Sequence, residues 1–131
     1  MNLLLDTQAL LWWTAGSRKL GRRARRAIET EAATVRVSAA SAWEIAIKLR
    51  AGRLKLADPL HAWMPGRLQR EGFLMLSVAV EHAVAVALLP DHHQDPFDRL
   101  LIAQARVEGL TIVTSDAAFD DYDVNVLDAR A

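Results

Sequence analysis

An α/β fold built on a mostly parallel sheet, with helices on both faces, is predicted by three features of the chain. Five short apolar runs alternate with longer stretches whose apolar residues recur at helical spacing. Glycine and proline punctuate the joins, with Gly52 and Gly109 after helical stretches and Pro96 just inside one. Two acids, Asp6 and Asp116, directly follow or closely trail strand-like runs, the place where ligands of open α/β sheets gather.

The first run, Asn2 to Leu5, is a short buried strand, because Leu3-Leu4-Leu5 has no polar alternation. Thr7 to Ala15 reads as a helix carrying Leu10, Leu11 and the pair Trp12-Trp13. Gly21 to Glu31 continues the face begun by Leu20 with Ala24 and Ile28. A second strand, Thr34 to Val37, precedes a helix over Ala40 to Ala51, in which Trp43, Ala46 and Ile47 repeat along one face and Gly52 is the stop. Further helices are expected from Pro59 to Arg70, Val80 to Leu88, and Pro96 to Glu108. The remaining strands are Leu74 to Leu76, Thr111 to Val113 and Val124 to Leu127. Strands joined through helices form parallel pairs.

Residues 1–131 read as one domain, without internal repeat, low-complexity tract or linker, and long enough to bury roughly two thirds of the unfolded chain's surface. The absence of cysteine excludes disulfides and thiolate metal sites. Met1 is not followed by a basic segment and a long apolar segment, so a cytoplasmic location is the expectation. Apolar stretches such as Ala83 to Leu89 fall well short of the ~18 residues of a membrane span, so no membrane partner is expected. The net charge of zero conceals a division: Met1 to Lys55 holds 11 Lys/Arg and 4 Asp/Glu, a net +7, which leaves −7 for the rest. A basic half suits nucleic-acid phosphate, and an acidic half suits a metal.

Four acids carry the chemistry. Asp6 and Asp116 each stand where they can either cap a following helical turn or line the sheet's crevice. Asp95, followed by Pro96, has the signature of an N-cap, and it is assigned to structure. Asp98 then falls in the first helical turn, but it shares the face of Leu101, Ile102 and Ala105, which should look into the protein. Glu44 lies four residues before Lys48, so it is either half of an exposed helical ion pair or a metal-facing carboxylate with Lys48 placed to meet phosphate. Several carboxylates in one partly buried cleft repel one another unless a hard cation compensates them. Mg²⁺ or Mn²⁺ suits such an oxygen-only donor set.

The segments around these acids, Leu3-Leu4-Leu5-Asp6-Thr7, Ser38-Ala39-Ala40-Ser41-Ala42-Trp43-Glu44-Ile45, Asp95-Pro96-Phe97-Asp98-Arg99-Leu100-Leu101-Ile102-Ala103 and Thr114-Ser115-Asp116 with Phe119, resemble the PIN-domain family. These are metal-dependent ribonucleases, and the chain is most similar to the VapC-type toxins of toxin–antitoxin pairs. The resemblance covers essentially the whole chain. It implies a five-stranded sheet of order 3-2-1-4-5, with Asp6 and Asp116 flanking the switch point between the first and fourth strands. It also implies an endoribonuclease in which Asp6, Glu44, Asp98 and Asp116 hold Mg²⁺ or Mn²⁺ for hydrolysis of an RNA phosphodiester. The implied partners are an RNA substrate, a cognate antitoxin reaching toward the active site, and a second copy in a homodimer. Gln8 departs from the His usual after Asp-Thr in close relatives, but its amide can still hydrogen-bond a ligand carboxylate or substrate.

Several residues keep two readings. The hydroxyls of Thr7, Thr114 and Ser115 either orient ligands and a metal-bound water or serve caps and turns. Arg99 pairs with a ligand carboxylate, touches RNA, or is a solvated helix residue. The basic run Arg18, Lys19, Arg22, Arg23, Arg25 and Arg26 is a solvated helix face or an RNA-backbone contact. His92, His93 and Asp95 are assigned to a loop rather than a metal site, and His61 and His82 stand alone. Trp12, Trp13, Trp43 and Trp63 are expected in the core, with one or two left for a partner. The alternative functions are a non-catalytic RNA-binding or interaction module and a phosphorylatable receiver. The latter lacks both the second acid after Asp6 and a lysine within Val124 to Ala131.

Overall fold

The computed structural model describes residues 1–131 as five parallel strands in the order β3-β2-β1-β4-β5, flanked by helices. The strands are β1 (Asn2–Leu5), β2 (Thr34–Ser38), β3 (Leu74–Leu76), β4 (Thr111–Thr114) and β5 (Asn125–Asp128). The helices are α1 (Thr7–Ala15), α2 (Arg22–Glu29), α3 (Ala39–Arg50), α4 (Leu60–Trp63), α5 (Gly66–Arg70), α6 (Val80–Ala85) and α7 (Pro96–Glu108). Short 3-10 turns cover Val86–Leu88 and Ala117–Asp121. No helix is long and apolar enough to cross a membrane.

The central strand shows why unbroken apolar runs form this sheet. Successive residues of a strand point to opposite faces, and β1 has a core on each. Leu3 and Leu5 pack with Leu10, Ala24, Ile28, Val37 and Ile45, whereas Leu4 packs with Leu101, Ile102, Ile112 and Phe119 on the other side. Helix α7 supplies much of the second cluster, and α1 and α2 much of the first. The register places Leu5 level with both Val37 and Val113. Asp6, Ser38 and Thr114 therefore leave the sheet together, at one end, and the Asp6 N–H donates to the Val113 carbonyl at 3.0 Å.

Side-chain bonds tie the helices to that end. Ser38 caps α3, accepting from the Ala40 N–H at 3.0 Å, and donates to Gln104 Oε1 of α7 at 2.6 Å. The two helices that carry Glu44 and Asp98 are thus joined through a buried bond. Just past β5 the Ala131 carbonyl accepts from the Arg23 and Ala24 N–H groups at 3.0 and 3.2 Å. That approach leaves no room for a Cβ at position 21, which explains Gly21 at the start of α2.

Three expectations are corrected. The stretch Pro59 to Arg70 is two helices, because Met64 is extended and Pro65, lacking an N–H and disfavouring helix in the residue before it, breaks the run. Val80 to Leu88 turns from α-helix to a 3-10 turn at Val86. The inward face of α3 is Ala40, Ser41, Glu44 and Ile45, while Trp43 and Ile47 are exposed. Apolar periodicity alone pointed to the wrong side of this helix, because the inward positions carry Ser41 and Glu44. Of the tryptophans, Trp12 and Trp63 are in the core, Trp13 lies at its edge against Phe73, and Trp43 is at the surface beside Phe97.

Candidate functional site

Asp6, Glu44, Asp98 and Asp116 come from four different elements and line one cleft of about 280 Å³ with Thr7, Gln8, Lys48 and Ser115. The cleft opens at the end of the sheet where β1 and β4 meet, the switch point of this strand order. Asp6 and Thr7 arrive at the end of β1, Glu44 from the second turn of α3, Asp98 from the first turn of α7, and Asp116 just past β4.

Each acid also has a structural bond. Asp6 Oδ1 caps α1 by accepting from the Ala9 N–H at 2.7 Å, and Asp116 Oδ1 accepts from the Ala118 N–H at 2.9 Å. The capping reading and the crevice reading therefore hold together. Thr114, almost fully buried, accepts from the Asp116 N–H at 3.1 Å, and its hydroxyl, near the Asp6 carboxylate, favours the ionised form of Asp6. One hydroxyl thus serves both the Asp6 side chain and the backbone of Asp116. Glu44 is buried, with the Thr7 hydroxyl 2.6 Å from Oε1 and Lys48 Nζ 3.0 Å from Oε2. Ser41 Oγ stands 3.1 Å from the same Thr7 hydroxyl. Gln8 and Ser115 line the mouth.

The electrostatics follow from crowding negative charge into a desolvated place. Burial pushes the Asp98 carboxyl up to about 7, and the charges of Asp95, Asp6, Glu44 and Asp116 add to the rise. Asp6 is raised to about 6, again chiefly by burial, against the lowering effect of its bonds from Thr114 and Ala9; Asp116 and Glu44 push it further upward. Asp6, Glu44 and Asp116 all contribute to the repulsion felt by Asp98. The donors are all hard oxygens, so the chemistry of the set fits a hard divalent cation. As they stand, no three of the side chains converge closely enough to hold an ion. Glu44 is held by Lys48, and Asp6 and Asp116 by their caps, so the four acids share one cleft without closing around a point.

Asp95 caps α7 as expected, accepting from the Asp98 N–H at 2.9 Å, and it also lines the cleft. Arg99 is corrected: it lies outside the cleft, and its guanidinium donates to the Pro90 carbonyl at 2.8 Å and the Tyr122 hydroxyl at 3.2 Å, with the carbonyls of Val86, Leu89 and His93 at 3.4 Å. It anchors the loop before α7 and is neither a solvated residue nor a partner of the clustered acids. The basic residues of α2 also lie outside the cleft; Arg25 donates to the Ser17 carbonyl and stacks over Trp13, while Arg22, Arg23 and Arg26 are exposed. Two neighbours of the acids are not marked by the sequence pattern. Ser41 was visible only as part of a motif, and His93, whose Nε2 is 3.6 Å from Asp98 Oδ2, reaches the site from a loop whose path no periodicity reveals.

Comparison with known proteins agrees with this arrangement. The PIN domain family profile matches residues 3–125. The chain is 34% identical over 115 residues to Ribonuclease VapC22 of Mycobacterium tuberculosis, covering 88% of this chain and 87% of that protein. Among solved structures, VapBC2 from Rickettsia felis bound to a DNA fragment from its promoter has a similar chain with a TM-score of 0.72 at 14% identity, covering 97% of this chain and 98% of that one. DNA-bound VapBC from Salmonella typhimurium has one with a TM-score of 0.68 at 17% identity, covering 98% of both. These two likenesses concern the fold; the sequence match extends to the family. The chain belongs to the PIN-domain family and, within it, to the VapC-type proteins.

Proposed function

We propose that the protein is a divalent-metal-dependent endoribonuclease, the toxin of a toxin–antitoxin pair. The observation that carries this reading is the delivery of four carboxylates, from β1, α3, α7 and the end of β4, to one cleft where burial and mutual repulsion hold two of them protonated well above the ordinary range. Such a site is unfavourable when empty of positive charge and suited to it when filled. Membership among the VapC-type proteins, one of which bears the name ribonuclease, supports the reaction class.

Asp6, Glu44, Asp98 and Asp116 would hold one or two Mg²⁺ or Mn²⁺ ions. When bound, the metal would supply a water activated at neutral pH and stabilisation for charge developing on the phosphate. The remaining residues orient that set. Thr7 fixes one oxygen of Glu44, Thr114 serves Asp6 and the turn that bears Asp116, and Lys48 stands at the edge with a cation suited to phosphate. Gln8 and Ser115 line the opening, where an amide and a hydroxyl can hydrogen-bond RNA.

A cognate antitoxin is the proposed protein partner, since VapBC complexes contain the structural neighbours. Pairing with a second copy is supported by apolar surface: Val80, Val84 and Leu88, four residues apart, are all largely exposed, as is Trp43. Incubating the purified protein with structured RNA, with and without Mg²⁺ or Mn²⁺, tests the activity. Metal-dependent cleavage abolished by EDTA is the expected outcome. RNA binding without cleavage under all metal conditions would favour a non-catalytic module instead.

A further inference from the structure

His93 Nε2 is a buried polar atom without a hydrogen-bond partner, and it lies 3.6 Å from Asp98 Oδ2. An unpartnered buried nitrogen costs folding free energy, so its placement calls for a reason. The direction of the neighbouring bonds supplies one. Arg99 can only donate, and its NH1 reaches the Tyr122 oxygen at 3.2 Å. The Tyr122 oxygen thus accepts from Arg99, and its own proton is free to go to His93 Nδ1, 2.7 Å away, whose role follows the ring's tautomer. With Nδ1 accepting, a neutral ring carries its proton on Nε2, the nitrogen that faces Asp98. The start of the chain is itself fixed, because the same guanidinium donates to the Pro90 carbonyl at 2.8 Å. Tyr122 is buried and its ring packs against that of His93, with centroids 5.3 Å apart.

We propose that His93, oriented by Tyr122 and Arg99, is a positioning residue for Asp98, presenting an Nε2–H to Oδ2 so that the carboxylate is held in the direction needed to bind a divalent cation. The present 3.6 Å is longer than a hydrogen bond, and hydrogen bonds of this kind often tighten only in the reacting complex. The inference rests on the reading of Asp98 as a metal ligand. It adds a relay, Arg99 to Tyr122 to His93 to Asp98, in which each donor's direction is set by the one before. Groups that orient a metal ligand in this way typically change metal affinity by about 10- to 100-fold when removed.

The test compares Mn²⁺ affinity, measured calorimetrically, for the wild type, His93→Phe, His93→Gln and Tyr122→Phe, alongside the histidine tautomer read by nitrogen NMR. His93→Phe should weaken Mn²⁺ binding about 10- to 100-fold. His93→Gln, whose amide can replace the Nε2–H, should recover part of the loss. Tyr122→Phe leaves His93 in place but removes the proton that fixes it, so it should admit the Nδ1–H tautomer and lose affinity by a smaller factor. Unchanged affinity in a folded His93→Phe protein, or an Nδ1–H tautomer in the wild type, would overturn this inference alone. Wild-type protein that binds no Mn²⁺ would overturn the metal reading and this inference together. If His93→Phe does not fold, Tyr122→Phe and the wild-type tautomer still decide.

Discussion

The Thr7 hydroxyl lies 2.6 Å from Glu44 Oε1 and joins the first turn of α1 to the second turn of α3 inside the protein. The residue after the first strand's acid therefore fixes an acid that stands 37 positions later. Thr7→Val keeps the shape and removes the donor. It should lower metal affinity and RNA cleavage by about 10- to 100-fold and cost about 1–3 kcal/mol of stability, because a buried carboxylate loses a partner. Thr7→Ser should retain most of both. Calorimetric metal titration and chemical denaturation of the two variants check the pair of effects.

Asp98 gives the protein a characteristic dependence of stability on pH. Its carboxyl is raised from 3.8 to about 7 in the fold, so the folded state holds this proton more tightly than the unfolded chain does. The corresponding stability is fully present below about pH 4 and is lost as the pH rises through about 7. Without metal, Asp98→Asn should flatten this slope and raise the melting temperature at pH 8 by at least about 3 °C, the shift that roughly 1 kcal/mol gives in a domain of this size. Thermal melts from pH 4 to 8 in EDTA would show it. A parallel decline in wild type and variant would remove Asp98 as the source.

Metal should reverse the same penalty. Mg²⁺ or Mn²⁺ at about 100 times its dissociation constant stabilises the native state by about 2.7 kcal/mol through mass action. The wild type should therefore melt at higher temperature with metal than with EDTA, and Asp98→Asn should lose that response. Retention of the full metal-induced shift by the variant would exclude Asp98 from the ligand set.

Helix α2 offers a separate test of RNA binding. Arg22, Arg23 and Arg26 are exposed, whereas Arg25 is engaged with Trp13 and the Ser17 carbonyl and should be left alone. Reversing the three exposed charges should weaken binding to RNA and reduce the slope of log affinity against log salt by about 0.7 for each single-strand phosphate that is no longer neutralised. Folding should be unaffected. An unchanged affinity and slope would identify this surface as a solvated face.

The parts of this architecture that rest on burial were readable from the chain, and the parts that rest on long-range contact were not. Leu3-Leu4-Leu5 and Thr111 to Val113 announce strands because both faces of a central parallel strand need apolar residues. Asp95-Pro96 announces the start of α7 because its cap is local. Helix α3 shows the opposite case. Its apolar face is turned to solvent, since Ser41 and Glu44 are needed inside, and the reason lies in Thr7, far away in the sequence. Arg99 differs from its reading for the same cause: its acceptors are backbone carbonyls before α7 and the distant Tyr122 hydroxyl, which no local side-chain pattern encodes. Pro65, by contrast, was a local signal sufficient to divide the stretch from Pro59 to Arg70.

The central claim is that the acid cluster is a metal-dependent site for RNA cleavage, and Asp6→Asn tests it most directly. Asparagine keeps the N-cap on α1 and removes the charge, so the fold is retained while the proposed ligand is weakened. The measurement is RNA cleavage by folded wild type and Asp6→Asn at matched concentration in Mn²⁺, with EDTA as control and growth on induction without antitoxin as a parallel readout. The account predicts metal-dependent cleavage and growth arrest by the wild type, with at least about a 100-fold loss of cleavage in the variant, on the scale of lost metal-site geometry. Asp6→Asn protein that cleaves RNA with wild-type rate and metal dependence would contradict it.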